Sequence, residues 1–180
     1  MSKAKDLVIV LVSGGMDSLT VTAMAHEQYE NLAFLHLNYG QKTSQKETEC
    51  FHKIADFYKI PHERRKIIDM TFLSQIGGSS LTDSRIAVTD YKGDSDDIPS
   101  SYVPFRNTHI IAMAVSWAEV IGATALFIGA VYEDSSGYPD TRRDFFDAFE
   151  KVINKGTKPE TNKWFLAPWG QGVDKRDNQI

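Results

Sequence analysis

Six consecutive residues, Ser13 to Ser18 (SGGMDS), combine two glycines with two hydroxyls and a carboxylate. Glycine lets the backbone turn sharply and approach a ligand without a Cβ in the way. The apolar run Leu7–Val12 precedes this loop, and a helix-compatible segment with Asp17 or Ser18 as its N-cap follows it. A strand, a polar loop and a helix N-terminus direct free backbone N–H groups at one point. The pattern predicts an anion site, most often for a phosphate.

Neither of two common phosphate-binding motifs matches this loop. It lacks the lysine and the spacing of GxxxxGK, and it does not contain GxGxxG. A Gly-Gly turn between a strand and a helix can also be purely structural, so both explanations stay open for the glycines alone. Ser13, Asp17 and Ser18 favour the anion site, because they surround the exposed N–H groups with short oxygen-bearing side chains.

Three more polar segments could contribute to a site: NYGQ at 38–41, YVPFRN at 102–107 and SGYPD at 136–140. In open α/β sheets ligands collect at the carboxyl ends of the strands, where the first and third segments are predicted to lie. Arg106 could hold a phosphate or carboxylate bidentately, or it could form an ion pair that anchors the loop. Around Tyr138, an ordinary Gly-Pro turn with a surface Asp–Arg pair is the alternative.

Strands and helices alternate along the chain. Strands are predicted over 7–12, 32–37, 64–68 and 124–131, and helices over 18–30, 44–58, 108–122 and 141–155, with one or two helical turns over 70–76. Ser44 and Glu47 have the spacing of a capping box. Segment 77–101 lacks apolar periodicity and is predicted to be a functional loop or a mobile surface insertion. The alternation predicts an α/β fold with a doubly wound, mainly parallel sheet and right-handed crossovers.

Side-chain periodicity also predicts parts of the core. Ile67 and Ile68 are the core candidates of the third strand. The last helix is expected to turn five apolar side chains inward: Phe145, Phe146, Phe149, Val152 and Ile153.

Composition limits the class of protein. The chain has 180 residues, 42% of them hydrophobic and 24% charged, as expected for one soluble globular domain. Its net charge of −4 argues against a general nucleic-acid or anionic-membrane surface. Cys50 is the only cysteine, so neither an intrachain disulfide nor a thiolate zinc cluster is expected. No apolar run has membrane-spanning length and no secretory signal is recognised, which leads us to expect a cytoplasmic protein.

SGGMDS after a buried first strand resembles the pyrophosphate loop, SGGxDS, of the ATP pyrophosphatase (PP-loop) group. These proteins have an adenine nucleotide alpha-hydrolase-like fold and cleave ATP between its α- and β-phosphates. Within the group the chain most resembles the 7-cyano-7-deazaguanine synthase family of queuosine precursor synthesis. The resemblance rests on NYGQ at 38–41, SSLT at 79–82, YVPFRN at 102–107 and SGYPD at 136–140, which occur in the family's order.

The resemblance implies an ATP-dependent C–N ligase that uses Mg²⁺. Such an enzyme converts 7-carboxy-7-deazaguanine and ammonia into the nitrile through adenylated intermediates. It also implies a homodimer that contacts neither nucleic acid nor a membrane directly. Two alternatives remain: a truncated nucleotide-binding remnant without turnover, and another PP-loop adenylating enzyme such as a tRNA thiolase.

The resemblance also assigns site residues. Those expected to bind the nucleotide are Val12, Ser13, Gly14, Gly15, Met16, Asp17, Ser18, Leu19, Asn38, Tyr39 and Gln41. Those expected to bind the substrate are Arg106, Asn107, Asp134, Tyr138, Asp140 and Arg142, with Tyr138 stacking on the deazaguanine ring and Asp140 accepting from its amine edge. Asp17, Ser18 and Arg106 are the expected catalytic residues, and Asp17 would cap the helix or help to hold Mg²⁺.

The chain departs from the family near its C-terminus. Family members carry a zinc site of four cysteines there, and this chain has no such cysteines. We therefore expect a truncated chain in which 1–160 form the ATP-binding domain and 161–180 an atypical tail. The final parallel strand is expected to be missing or degenerate, with 164–167 imitating part of it at best.

Overall fold

A computed structural model describes residues 3–87, 98–130 and 138–158, and the backbone of 165–168. Its centre is a sheet of five parallel strands in the order β3-β2-β1-β4-β5. The strands are β1 (Ala4–Leu11), β2 (Tyr29–Asn38), β3 (Arg65–Asp69), β4 (Ala125–Ile128) and β5 (Phe165–Pro168). The predicted α/β class and doubly wound sheet are confirmed.

Helices cover both faces of the sheet. They are α1 (Met16–Gln28), α2 (Ser44–Phe57), α3 (Phe72–Ile76), α4 (Arg106–Ile121) and α5 (Arg143–Gly156), with 3-10 turns at His62–Arg64 and Pro139–Thr141. Successive strand residues point to opposite faces. Val8 and Val10 of β1 therefore pack in one core with α1 and α2, whereas Ile9 and Leu11 pack in the other core with α3, α4 and α5.

The strand order reverses between β1 and β4. From β1 the chain continues to β2 and β3 on one side, then returns to form β4 on the other side of β1. A crevice opens at the carboxyl ends of strands at such a switch point, and it is the usual ligand site of a doubly wound sheet.

The starts of α1 and α2 differ from the predictions. Helix α1 begins at Met16 with Gly15 as its N-cap and no side-chain cap bond, so neither Asp17 nor Ser18 is the N-cap. The predicted capping box is also wrong, because Thr43 is the N-cap of α2. The Glu47 carboxylate accepts hydrogen bonds from the side chains of Thr43 and Gln41 instead.

Three other details differ from the predictions. Ile67, a predicted core residue, is 41% exposed because β3 is an edge strand, while Ile68 packs partly against the core. Val152 lies on the outer side of α5 and is 61% exposed, contrary to the prediction. The final strand is not missing: β5 is a four-residue strand paired in parallel with β4.

The described ends of the 77–101 segment are held together by short contacts. Ser79 and Ser80 are almost fully buried, at 0% and 1% exposure. Ser79 Oγ donates to the Ser101 carbonyl at 3.1 Å, and the Ser80 amide donates to the Ser100 carbonyl at 2.8 Å. Residues 88–97 lie outside the described ranges. None of the helices described has the length and apolar character needed to span a membrane.

Candidate functional site

A cleft of about 330 Å³ lies at the carboxyl ends of β1, β2 and β4, where the strand order reverses. Its walls come from these strand ends, from the loop after β1 and from the first turns of α2 and α4. The 3-10 turn at Pro139–Thr141 also contributes. The lining residues are Leu11, Val12, Ser13, Ser18, Leu35, His36, Leu37, Tyr39, Glu47, Arg106, Asn107, Ile110, Ile128, Gly129, Ala130, Tyr138 and Thr141.

The loop after β1 packs closely on α2. Gly14 has φ = +84°, and a Cβ added there would lie 2.7 Å from the Cβ of Cys50 and 3.1 Å from the Glu47 carbonyl oxygen. Only glycine meets both conditions, a left-handed backbone and this close approach. The Gly15 amide donates to Ser13 Oγ at 3.3 Å, so the loop is also shaped from within.

The first turn of α1 presents free backbone donors beside the cleft. The first intrahelical bond that closes this turn runs from the Leu19 amide to the Gly15 carbonyl at 3.1 Å. The amides of Met16, Asp17 and Ser18 precede it and have no intrahelical acceptor, as at every helix N-terminus. Together with the helix dipole they favour an anion. Ser18 Oγ donates to the Gly15 carbonyl at 2.9 Å.

Gly129, just after β4, brings this strand end against the start of α1. A Cβ at Gly129 would lie 3.0 Å from both the Ser18 nitrogen and the Asp17 carbonyl carbon. The loop after β1 is therefore held between α2 on one side and the end of β4 on the other. Close packing at Gly14 and at Gly129, which are distant in sequence, positions the backbone of the loop.

Arg106, the first residue of α4, faces the loop across the cleft. Its Nη1 donates to Tyr39 Oη at 3.3 Å, and its Cζ lies 5.3 Å from the centre of the Tyr39 ring. Its Nε is buried without a hydrogen-bond partner. Among the residues that the structure describes, no carboxylate forms a salt bridge with Arg106. The ion-pair alternative is thus not observed there, and the guanidinium can receive an anion.

Tyr39 stays a neutral phenol in this setting. Burial raises its pKa above the ordinary value of 10.0, and the nearby Glu47 and Tyr138 add to that rise, while Arg106 opposes it. The phenol therefore keeps its proton and can both donate and accept hydrogen bonds.

Asn107 and Asp140 form a buried clasp that connects α4 to the turn before α5. The Asn107 amide donates to Asp140 Oδ2 at 3.0 Å, and Asn107 Nδ2 donates to the Asp140 carbonyl at 2.9 Å. Both residues are 4% exposed. Asn107 lines the cleft, whereas Asp140 stands behind it with one carboxylate oxygen committed to the start of α4.

Tyr138 lines the cleft next to this clasp. Its hydroxyl shares a hydrogen bond with the Ser101 hydroxyl, and its ring centre lies 5.9 Å from that of Tyr102. Arg142, the N-cap of α5, is exposed to solvent. The predicted residue Asp134 lies outside the described ranges.

Only some of the predicted site residues line the cleft. The predicted residues that line it are Val12, Ser13, Ser18, Tyr39, Arg106, Asn107 and Tyr138. Those that do not line it are Gly14, Gly15, Met16, Asp17, Leu19, Asn38, Gln41, Asp140 and Arg142. Met16 and Leu19 are 81% and 44% exposed, respectively.

Asn38 and Gln41 shape the turn after β2. The Gly40 amide donates to Asn38 Oδ1 at 3.1 Å. The Tyr39 amide donates to Gln41 Oε1 at 2.9 Å, and Gln41 Nε2 donates to Glu47 at 2.8 Å. These bonds orient Tyr39 toward Arg106.

Sequence reasoning missed several lining residues: His36, Glu47, Ile110, Gly129 and Thr141. Two of them left a signal. His36 interrupts the apolar LAFLHL run two residues before a polar turn. Gly129 follows an apolar strand, where an isolated glycine often marks the close approach of another backbone. Glu47 gave no usable signal, because its spacing suggested a capping role.

Within the described ranges, no group of three or more His, Cys, Asp or Glu side chains is arranged to hold a metal ion. A resident zinc therefore has no fitting donor set in this part of the chain. A magnesium ion carried on nucleotide phosphates needs fewer protein ligands, because it usually keeps several waters. Asp17, half-buried in the first turn of α1, is a carboxylate of the kind that suits it.

Comparison with known proteins gives a consistent family. The model of the family described as queuosine biosynthesis protein QueC matches residues 7–177. The 7-cyano-7-deazaguanine synthase of Chlorobaculum parvum is 58% identical over 160 residues, which are 89% of this chain and 70% of that protein. The protein of the same name from Chloroherpeton thalassium is 60% identical over 154 residues, 85% of this chain and 67% of that protein.

A solved structure, described as a predicted subunit of a tRNA methyltransferase from Methanocaldococcus jannaschii, superposes with a TM-score of 0.50 at 16% identity. The match covers 94% of this chain and 71% of that one. At this identity the likeness concerns the fold alone. The family match over nearly the whole chain is the decisive result, and the predicted family is confirmed. The chain belongs to the QueC family of queuosine biosynthesis proteins.

Proposed function

We propose that this chain binds ATP with Mg²⁺ in the cleft and uses it to convert 7-carboxy-7-deazaguanine and ammonia into 7-cyano-7-deazaguanine. The observation that carries the proposal is the pairing of two anion-binding features across one cleft. These are the open first turn of α1 and the guanidinium of Arg106, which has no acidic partner in the described part of the chain. The product follows from the name of the relatives, and the substrate from what the family resemblance implies.

The loop side would take the phosphates that leave. Amides of the first turn of α1, with the hydroxyls of Ser13 and Ser18, would bind the β- and γ-phosphates. Mg²⁺, held on these phosphates with Asp17, would neutralise part of the charge that pyrophosphate carries away. The turn at Asn38–Gln41 would flank the adenosine half.

The reaction needs the protein mainly to position reactants and to stabilise charge. An oxygen of the substrate carboxylate attacks the α-phosphorus of ATP, and the bond to the β-phosphate oxygen breaks to release pyrophosphate. Ammonia then attacks the adenylated carbon, a proton is lost, and AMP leaves to give the amide. A second ATP activates the amide oxygen, and loss of AMP and the remaining N–H protons gives the nitrile.

Arg106 is the residue that we assign to the substrate carboxylate or the α-phosphate. From its position opposite the loop, Arg106 would hold the reacting groups between two positive ends. Tyr138 would stack on the deazaguanine ring, and Asn107 would face it from the start of α4. For Asp140 we assign a positioning role through the clasp with Asn107, since that clasp occupies one of its carboxylate oxygens.

The direct test is the release of AMP and pyrophosphate by the purified chain. We expect AMP formation from ATP·Mg²⁺ that depends on both 7-carboxy-7-deazaguanine and ammonium, with the nitrile detected by mass spectrometry. ATP binding without substrate-dependent AMP would favour the alternative, a nucleotide-binding protein without turnover.

Two loop variants sharpen this test. Ser13→Ala and Asp17→Ala should lose ATP binding or cleavage while the thermal unfolding transition is retained. Ser116→Ala is a matched control, because Ser116 is exposed on α4 and its hydroxyl only donates back to the Ala112 carbonyl. Unchanged ATP affinity in both loop variants would remove the phosphate-site assignment.

A further inference from the structure

His36 is a buried imidazole in the wall of the cleft. It lies in β2, is 1% exposed, and packs its ring against Phe51 with centres 5.7 Å apart. Its Nδ1 lies 2.9 Å from the Val12 carbonyl oxygen. Because a carbonyl only accepts, Nδ1 must carry the proton. The neutral ring then has a lone pair on Nε2.

That lone pair has no donor in the described part of the protein. Nε2 is buried without a hydrogen-bond partner. Glu47, an acidic residue that also lines the cleft, cannot supply the donor, because its carboxylate already accepts from Thr43 and Gln41 and has no proton to donate. Buried polar groups are seldom left unpaired, since an unmet hydrogen bond is costly. The ring orientation is fixed by Val12 and Phe51, so a ligand is the natural source of the missing donor.

The topology indicates which part of a ligand comes to this place. In the doubly wound folds that bind dinucleotides, the phosphates sit at the turn after the first strand, and the ribose lies near a residue about 20 positions further on. Here β1 ends at the Ser13 loop, and its neighbour β2 ends at Asn38, two residues after His36. His36 thus lies where the adenosine half of a nucleotide would lie.

We infer that His36 is a specificity-determining residue whose Nε2 accepts a hydrogen bond from the adenosine half of ATP. The donor is the exocyclic amine of the purine or a ribose hydroxyl, which share the same chemistry. The inference rests on the proposed ATP-binding function. In this proposal the loop contacts only the phosphates of ATP, whereas the side chain of His36 recognises the nucleoside.

The test compares nucleotide affinities of His36→Phe and His36→Gln with those of the wild-type chain, by calorimetry with ATP·Mg²⁺. His36→Phe keeps a ring against Phe51 but has no acceptor, and we expect the Kd for ATP to rise about 5- to 10-fold, the size of one hydrogen bond. His36→Gln restores an acceptor near the Nε2 position and should recover most of the affinity. His62→Phe, at an exposed histidine outside the cleft, should bind as the wild type does.

Three nucleotides identify the donor. Inosine triphosphate lacks the exocyclic amine, and the 2′-deoxy and 3′-deoxy forms of ATP each lack one hydroxyl. The affinity ratio between wild type and His36→Phe should fall to about 1 for the analogue that lacks the group bound by Nε2. Thermal unfolding of each variant shows whether the fold is retained. If His36→Phe unfolds, His36→Leu, which also lacks an acceptor, takes its place in the comparison with His36→Gln.

The outcomes separate the two proposals. Suppose that the wild type binds ATP. If His36→Phe binds ATP with unchanged affinity, or if both folded variants lose affinity equally, the role of His36 is overturned and the proposed function stands. If the wild type binds no ATP, both proposals fail together.

Discussion

The two sides of the cleft are constructed differently. On the side of β1, the loop and the first turn of α1 form one continuous segment, which offers backbone N–H groups. On the opposite side, Arg106 and Tyr138 come from segments that lie 32 residues apart, and they present side chains. Their backbones are joined by the buried clasp of Asn107 and Asp140.

This difference predicts how each side responds to mutation. Backbone recognition depends on shape, so the loop should be most sensitive to added atoms at its glycines. Side-chain recognition depends on charge and on the contacts that hold each side chain in place. The opposite side should therefore be most sensitive to removal of groups.

The largest effect is expected at Gly14. Gly14→Ala would put a Cβ 2.7 Å from the Cβ of Cys50 at a backbone φ of +84°. Steric overlap and the left-handed backbone should together lower the free energy of unfolding by about 3 kcal/mol. Urea denaturation measures the loss, and ATP binding of the remaining folded protein should be abolished.

Gly156→Ala is the matched control for Gly14→Ala. It lies at the end of α5, where an added Cβ meets no atom within 4 Å. Its unfolding free energy should change by less than about 1 kcal/mol, the range of helix propensities. Equal losses in both variants would contradict the claim that the loop is shaped by its contact with α2.

The next effect is expected at the clasp. Asp140→Ala would leave the buried Asn107 amide without its carboxylate acceptor. Hydrogen bonds to charged groups and the cost of an unpaired buried donor predict a loss of about 2 kcal/mol in unfolding free energy. Asp140→Asn keeps an acceptor oxygen and should lose less. If Asp140 instead acts only through direct contact with the substrate, Asp140→Ala would unfold like the wild type and lose only affinity.

Removal of the charge at Arg106 should affect binding more than stability. Arg106→Gln deletes a guanidinium that forms no ion pair with any described residue, so the unfolding free energy should stay within about 1 kcal/mol of the wild type. Affinity for the carboxylate substrate or for ATP should fall about 10-fold, as expected for one charge-assisted contact. A variant that binds normally but unfolds easily would assign Arg106 to the fold alone.

The smallest effect concerns Tyr39. Burial holds its pKa above 10.0 in the folded protein, whereas the unfolded chain has the ordinary value. The phenol therefore contributes to stability below pH 10, and this contribution is lost as the pH rises through the folded-state pKa. Denaturation curves at pH 9 and 10.5 should show a smaller decline for Tyr39→Phe than for the wild type. Equal declines would indicate that Tyr39 ionises normally in the folded chain.

The sequence predicted the fold class correctly because strand and helix periods were clear in most long segments, with 77–101 as the exception. Element boundaries were less accurate. Helix α1 starts at Met16, before either predicted N-cap, because the backbone of Gly15 begins the helix without a side-chain bond. Ile67 was assigned to the core by hydrophobicity alone, and it is exposed because β3 has a neighbour on one side only.

For the candidate site, too, some predictions were correct and others were not. Ser13 and Ser18 were recognised because they are the two ends of the SGGMDS loop, and both line the cleft. Asp140 was expected to contact the substrate, yet its side chain bonds to the Asn107 amide, a pairing 33 residues apart that no local pattern reveals. His36 was given no role, although it interrupts an apolar strand two residues before a polar turn.

What the sequence determined by itself was local: the strand–loop–helix segment around Ser13 to Ser18, the order of strands and helices, and the family to which the motifs point. These depend on residues close together in the chain, so periodicity and motif spacing reveal them. Only the tertiary structure decided that Gly129 packs against the start of α1, that Arg106 lies on Tyr39, and that His36 keeps an unpaired Nε2. Each of these results from strands that meet at the switch point of the sheet, and such contacts leave no periodic pattern in a single chain.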